Sequence, residues 1–209
     1  MLNNCYKSNA VLLLNYKNND KLVYMKNIDD TSKRRLIHVL ISIVLIAILF
    51  VIDRETKAVA MEHFGKNPAP LSIIDGVLEL VLVFNTGSAW SMFAGKLNFL
   101  MVITLICLIV ILFAYFKLPF KKKYDILHVL LAIIVAGALG NMYDRVVFHK
   151  VTDFIYFKLI DFPVFNVADI YVTVSAFFIV VLMLTKYKND ELMMDKEKKE
   201  EKEETKENQ

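Results

Sequence analysis

The chain has 209 residues, 56% of them hydrophobic, with a mean hydropathy of +0.47 and a formal charge of +3. Soluble domains average about 45–50% apolar residues, so this composition excludes an ordinary soluble globule and predicts a membrane protein. No basic stripe interleaved with aromatics accompanies the charge, which sets nucleic acid aside as a partner.

Residues 1–35 form a polar N-terminal extension rich in Asn and Lys, and its "AVLLL" patch is too short for the apolar core of a cleaved signal peptide. Met25 opens "MKNIDDTSKRRL", a natural lead-in to a first span, and is expected to be the translation start. Four apolar runs follow, at 36–52, 97–116, 126–143 and 167–185, which are 17, 20, 18 and 19 residues long. About 17–25 residues cross a bilayer. The first three runs contain no Asp, Glu, Lys or Arg, and the fourth contains only Asp169.

Between the first two runs, residues 53–96 hold Pro68 and Pro70, then "LSIID", the turn signal Asp75–Gly76 and "VLELVLVFN". Two β-branched runs around a glycine predict a hairpin. Trp90 follows in a small-residue segment suited to the membrane surface. The next connection is short and basic, with Lys117 and Lys121 to Lys123, whereas residues 144–165 are aromatic and β-branched up to Pro163 and predict further extended structure. Lys33, Arg34 and Arg35 precede the first run, and Lys186 and Lys188 follow the last. By the excess of Lys and Arg in cytoplasmic loops, both termini are cytoplasmic and the two long connections lie outside. The reading is therefore an all-α membrane protein with a small β element: four transmembrane helices at 36–186, an outer β-cradle, and a charged tail at 187–209 too polar to fold alone.

Polar groups collect at the outer ends of the spans. Asp53 and Lys57 share a helix face at i,i+4, as do Asn141, Asp144 and Arg145 at i, i+3 and i+4. Asn166 and Asp169 open the fourth span, where Asn166 suits a helix N-cap and Asp169 the first turn. Asn85 and Asp153 lie in the outer connections. Any of these has an ordinary structural use, but ionisable residues gathered at membrane depth are functional by default. Cys5 and Cys107 lie far apart in character, and His38, His63, His128 and His149 are scattered without HExxH or CxxC spacing, so neither a metal nor a cofactor is expected. Two carboxylates sharing a site hold one proton between them, which suits aspartyl peptidase chemistry. On helix position alone the pair is Asp144 with Asp169.

Taken together, "DRETK", "NTGSAW", "GALGNMYDR", "VTDF" and "FNVAD", in that order between apolar runs, resemble the lipoprotein signal peptidases (signal peptidase II) over residues 36–186. The resemblance implies a bacterial inner-membrane aspartyl endopeptidase, acting at the outer face as a monomer, that removes signal peptides from diacylglyceryl-modified prolipoproteins before the lipidated cysteine. It places the catalytic aspartates on Asp153 and Asp169 and keeps Asp144 as an alternative partner. Asp53, Lys57, Asn85, Asn141, Asp144, Arg145 and Asn166 match the supporting positions, which would hold the dyad, the substrate backbone or the lipid phosphate of membrane phospholipid. Arg54 stands where glutamine is usual in the family, adding a charge near the site that would alter lipid headgroup contacts, and Trp90 where phenylalanine is usual. The rival is a small transporter or proton-relay subunit with Asp53, Asp144 and Asp169 along a path, yet its mid-span charges and broken helices are missing. A presenilin-type protease would carry GxGD within a span, which this sequence lacks.

Overall fold

The computed structural model describes residues 2–87 and 96–187, with side chains from residue 32 onward. Trp90 and the charged tail beyond residue 187 lie outside the described residues, as do the side chains of residues 1–31. The order of elements is α1 (Leu2–Lys66), β1 (Leu71–Ile74), β2 (Leu78–Asn85), α2 (Leu97–Lys117), α3 (Asp125–Phe148), β3 (Val151–Phe157) and α4 (Val167–Thr185), with 3₁₀ turns at Lys122–Tyr124 and Lys158–Ile160. Four helical segments are long and apolar enough to cross a membrane: Ser32–Lys66, Leu97–Lys117, Lys122–Phe148 and Val167–Thr185. The chain is thus a multi-pass membrane protein, and each apolar run of the sequence supplies one span.

α3 is the central helix. Of its most apolar window 56% is buried inside the protein, against 17% or less in the other three, and it packs on α1, α2 and α4. Glycines permit the closest of these approaches. A Cβ on Gly137 would stand 2.5 Å from the Ala168 carbonyl oxygen of α4, and one on Gly140 would stand 2.5 Å from Asp53 Oδ2 of α1. At the basic end of the bundle, Arg34 of α1 grips Asp125 of α3 at 2.7 and 2.8 Å, and Ser42 and Tyr115 are hydrogen bonded at 2.8 Å.

Helix α1 does not stop where its apolar run ends. It continues through Lys66, where Gly65, Pro68 and Pro70 supply the first breakers. The continuation is fixed from one side, because Asp53, Lys57, Ala60 and Phe64 are buried at helical spacing. β1 and β2 form the expected hairpin around Gly76, whose φ of +70° suits glycine. β3 then pairs antiparallel with β2, so the sheet order is β1-β2-β3.

Besides an irregularity in β1 between Ser72 and Ile74, two bulges shape this sheet. One interrupts β2 between Leu80 and Val83. In the other, Phe154 and Ile155 both donate backbone N–H groups to the Phe165 carbonyl, at 3.0 and 2.8 Å. Two residues opposite one reset the alternation of side chains along a strand. Phe154 and Ile155 accordingly pack together with Ala60, Phe64, Leu80 and Leu82, while Asp153 before them and Tyr156 after them face the other way and border one cavity.

Candidate active site

The polar residues from the five sequence strings converge where the C-terminal ends of α1 and α3 and the N-terminal end of α4 meet β3. Asn166 is the N-cap of α4: its Oδ1 accepts the Asp169 N–H at 3.1 Å, and its own N–H donates to Asp169 Oδ2 at 3.1 Å, a reciprocal capping box. The same asparagine donates from Nδ2 to Asp153 Oδ1 at 2.6 Å and to Asn141 Oδ1 at 3.1 Å. The structural use foreseen for Asn166 and its attachment to Asp153 therefore coexist in one side chain.

Asp153 is only 2% exposed, and its other oxygen accepts from Asn85 Nδ2 at 3.1 Å. Burial, followed by the neighbouring Asp169 carboxylate, pushes its pKa up to about 6; hydrogen bonds from Asn85 and Asn166 and the charge of Lys57 act in the opposite direction. Asp169 is half-buried, and its Oδ1 accepts from Asn141 Nδ2 at 2.7 Å. Both carboxylates border a cavity of about 250 Å³, together with Asn85, Asn141, Arg145 and Thr173. Its remaining wall is apolar, from Phe162 to Phe165.

Beneath this cavity lies a fully buried ion cluster. Lys57 Nζ contacts Asp53 Oδ2 at 2.9 Å, Asp144 Oδ2 at 3.0 Å and Asn141 Oδ1 at 3.1 Å. Asp53 Oδ1 accepts the Ala168 N–H at 3.1 Å, which ties α1 to the first turn of α4. Asp144 Oδ2 accepts the Thr152 N–H at 3.3 Å, which holds the strand residue next to Asp153. Arg54 pairs with Asp144 Oδ1 and lies over the rings of Tyr143 and Phe148, 4.9 and 5.8 Å from their centroids.

Asp144 takes its cations from α1, as Lys57 and Arg54, and not from adjacent Arg145, because consecutive helical residues point about 100° apart. Arg145 instead lines the cavity of the two aspartates, with its Nε buried and without a hydrogen-bond partner among the described residues. Arg54, expected to add a charge near the site, turns inward to Asp144, leaving its side chain only 16% exposed. The donors from Ala168 and Thr152 were invisible in the sequence, since a backbone N–H leaves no mark on residue type. Among the described residues, no group of three or more His, Cys, Asp or Glu is arranged to hold a metal ion.

The pattern that defines signal peptidase (SPase) II matches residues 45–185. The chain belongs to the signal peptidase II family. Lipoprotein signal peptidases of Staphylococcus haemolyticus, Lactiplantibacillus plantarum and Caldicellulosiruptor bescii are similar to it, with 33%, 36% and 36% identity. These alignments cover 70%, 69% and 73% of this chain and 92%, 94% and 96% of those proteins. A bacterial membrane enzyme solved by the in meso method at 2.3 Å resolution shares the fold, with TM-score 0.63 and 30% identity over 71% of this chain and 90% of that one. A second such structure, at 1.9 Å, gives 0.57 and 30% over 69% and 92%. Signal peptidase II enzymes are aspartic peptidases, and this membership favours a peptidase over a transporter or relay subunit.

Proposed function

We propose that this protein removes the signal peptide from diacylglyceryl-modified prolipoproteins, hydrolysing the peptide bond before the lipidated cysteine with Asp153 and Asp169 as the dyad. One observation carries the assignment: a single buried asparagine, Asn166, holds both carboxylates at the edge of one polar cavity. Asp144 is given a supporting role, because it is fully buried, ion-paired with Lys57 and Arg54, and not among the residues that line the cavity.

The dyad works with one proton between its two carboxylates, and the burial that raises Asp153 to about 6 keeps that proton available near neutral pH. Its ionised carboxylate takes a proton from water, whose oxygen bonds to the scissile carbonyl carbon, while the protonated carboxylate gives its proton to the carbonyl oxygen. The resulting gem-diol loses its C–N bond as the amine nitrogen takes a proton from the dyad, and the second hydroxyl proton returns to it. Asn85, Asn141 and Asn166 keep the two carboxylates oriented throughout. Arg145, which lines the cavity and carries guanidinium donors, is suited to a substrate carbonyl.

Charge at the helix ends supports the orientation: Lys33 to Arg35, Lys117, Lys121 to Lys123 and Lys186 flank one side, which we assign to the cytoplasm of a bacterial inner membrane. The site then faces the outer leaflet, surrounded by phospholipid, in a protein that works as a monomer. Residues 36–186 constitute the peptidase domain, with the N-terminal extension and the charged tail as appendages. Purified protein incubated with a diacylglyceryl-modified prolipoprotein should give a smaller product on a gel, in EDTA as well as without it. Cleavage that stops in EDTA and returns with zinc would overturn the two-carboxylate mechanism.

A further inference from the structure

The dyad cavity is one half of a longer cleft. A second cavity of about 480 Å³ shares Asn85, Asp153 and the wall at Phe162 to Val164 with the first, and adds Thr86, Tyr156 and Asp161. The two halves meet at Asp153 and diverge. The first descends along α4 to Thr173, one helical turn below Asp169 and towards the bilayer. The second runs outward along β3.

This outward course depends on the bulge at Phe154 and Ile155. Without it, Tyr156 would lie on the same face as Phe154, packed towards α1. With it, Tyr156 stands on the Asp153 face and donates its hydroxyl to Asp161 Oδ1 at 2.6 Å. Bulges beside active sites commonly re-aim a side chain in this way. Asp161 is exposed and left-handed, with φ of 49°. Among the described residues its carboxylate meets no cation, whereas Glu79, paired opposite Tyr156 in the sheet, is neutralised by Lys158 at 2.6 Å. The far wall of the second cavity therefore carries one uncompensated negative charge.

Given the peptidase reading above, on which this rests, we propose that the second cavity is the subsite for the polypeptide following the lipidated cysteine, with Asp161 as its specificity-determining residue. The membrane-seated signal peptide takes the half that descends to Thr173, so the chain beyond the cut takes the half that leaves the bilayer. Three residues separate Asp153 from Tyr156, about 10 Å of strand, and an extended substrate advances by a similar rise per residue. Asp161 consequently faces about the third residue past the cysteine and favours a basic side chain over an acidic one there.

The test uses the full-length protein and three lipidated precursors with Lys, Gln or Glu at that third position. Wild type should cleave them in that order, with about a fivefold span in kcat/KM, the scale of a partly exposed ion pair. In Asp161→Asn, which keeps the turn and an acceptor for Tyr156, the three should fall within about twofold. Tyr156→Phe should retain the order, because the carboxylate remains; a mere staple for the turn would instead lower all three rates alike without changing their ratio in Asp161→Asn. Equal rates in wild type, or an unchanged order in Asp161→Asn, would overturn the subsite while leaving the peptidase intact. Failure of wild type to cleave any precursor would overturn the peptidase reading and the subsite with it.

Discussion

Asn166 does two jobs that substitution can separate. Serine retains an N-cap acceptor for α4 but cannot reach Asp153, whereas alanine loses both functions. Asn166→Ala should lower thermal stability by about 1 kcal/mol and cleavage with it; Asn166→Ser should recover most of the stability but not the rate. Recovery of both by serine would show that the bond to Asp153 is dispensable. Asp153 itself links stability to pH. Its folded pKa of about 6 exceeds the ordinary 3.8, so between those values the unfolded chain binds fewer protons than the folded protein, and stability falls as pH rises. Melting wild type and Asp153→Asn across pH 4 to 7 should show the wild type losing roughly 3 kcal/mol relative to the mutant over that window. Parallel curves would contradict the raised value.

At the scale of elements, helix packing and the ion cluster determine whether the site forms. Gly140 lies so close to Asp53 that an added Cβ would displace a carboxylate bonded to both Lys57 and α4. Gly140→Ala should destabilise the protein by about 1–3 kcal/mol and reduce cleavage; an unaltered melt would mean that α1 and α3 can separate freely. Lys57→Met should do more, since it leaves Asp53 and Asp144 buried together with only Arg54 as a cation. Breaking such a pair costs about 3–5 kcal/mol, and the readout is loss of folded protein on size-exclusion chromatography. A monodisperse, active Lys57→Met would refute the bracing role. Much of this scale was legible in the sequence: i,i+4 spacing placed Asp53 with Lys57, Asn166 with Asp169 announced a cap, and Asp75–Gly76 announced a turn. The partner of Asp144 was not legible, because spacing along one helix says nothing about Arg54 arriving from another. Nor was the bulge at Phe154, which is set by Phe165 closing back on the strand.

On the scale of the molecule, four apolar runs set the architecture, each supplying one helix long enough to span a membrane. What residue type could not convey was where α1 ends, since the helix outlasts its apolar run by packing Ala60 and Phe64 against the sheet. The extended helix and the three strands enclose polar chemistry beside a bilayer, and two carboxylates on different elements are brought together by Asn166 at the cap of α4, itself held by Asn141 of α3. The central claim is that these two, Asp153 and Asp169, perform the hydrolysis. Its most direct test is cleavage of one diacylglyceryl-modified precursor by wild type, Asp153→Asn and Asp169→Asn, each reconstituted in lipid and shown to be folded. The account predicts conversion by the wild type and none by either mutant over the same time, whereas near-normal turnover by either mutant would contradict it.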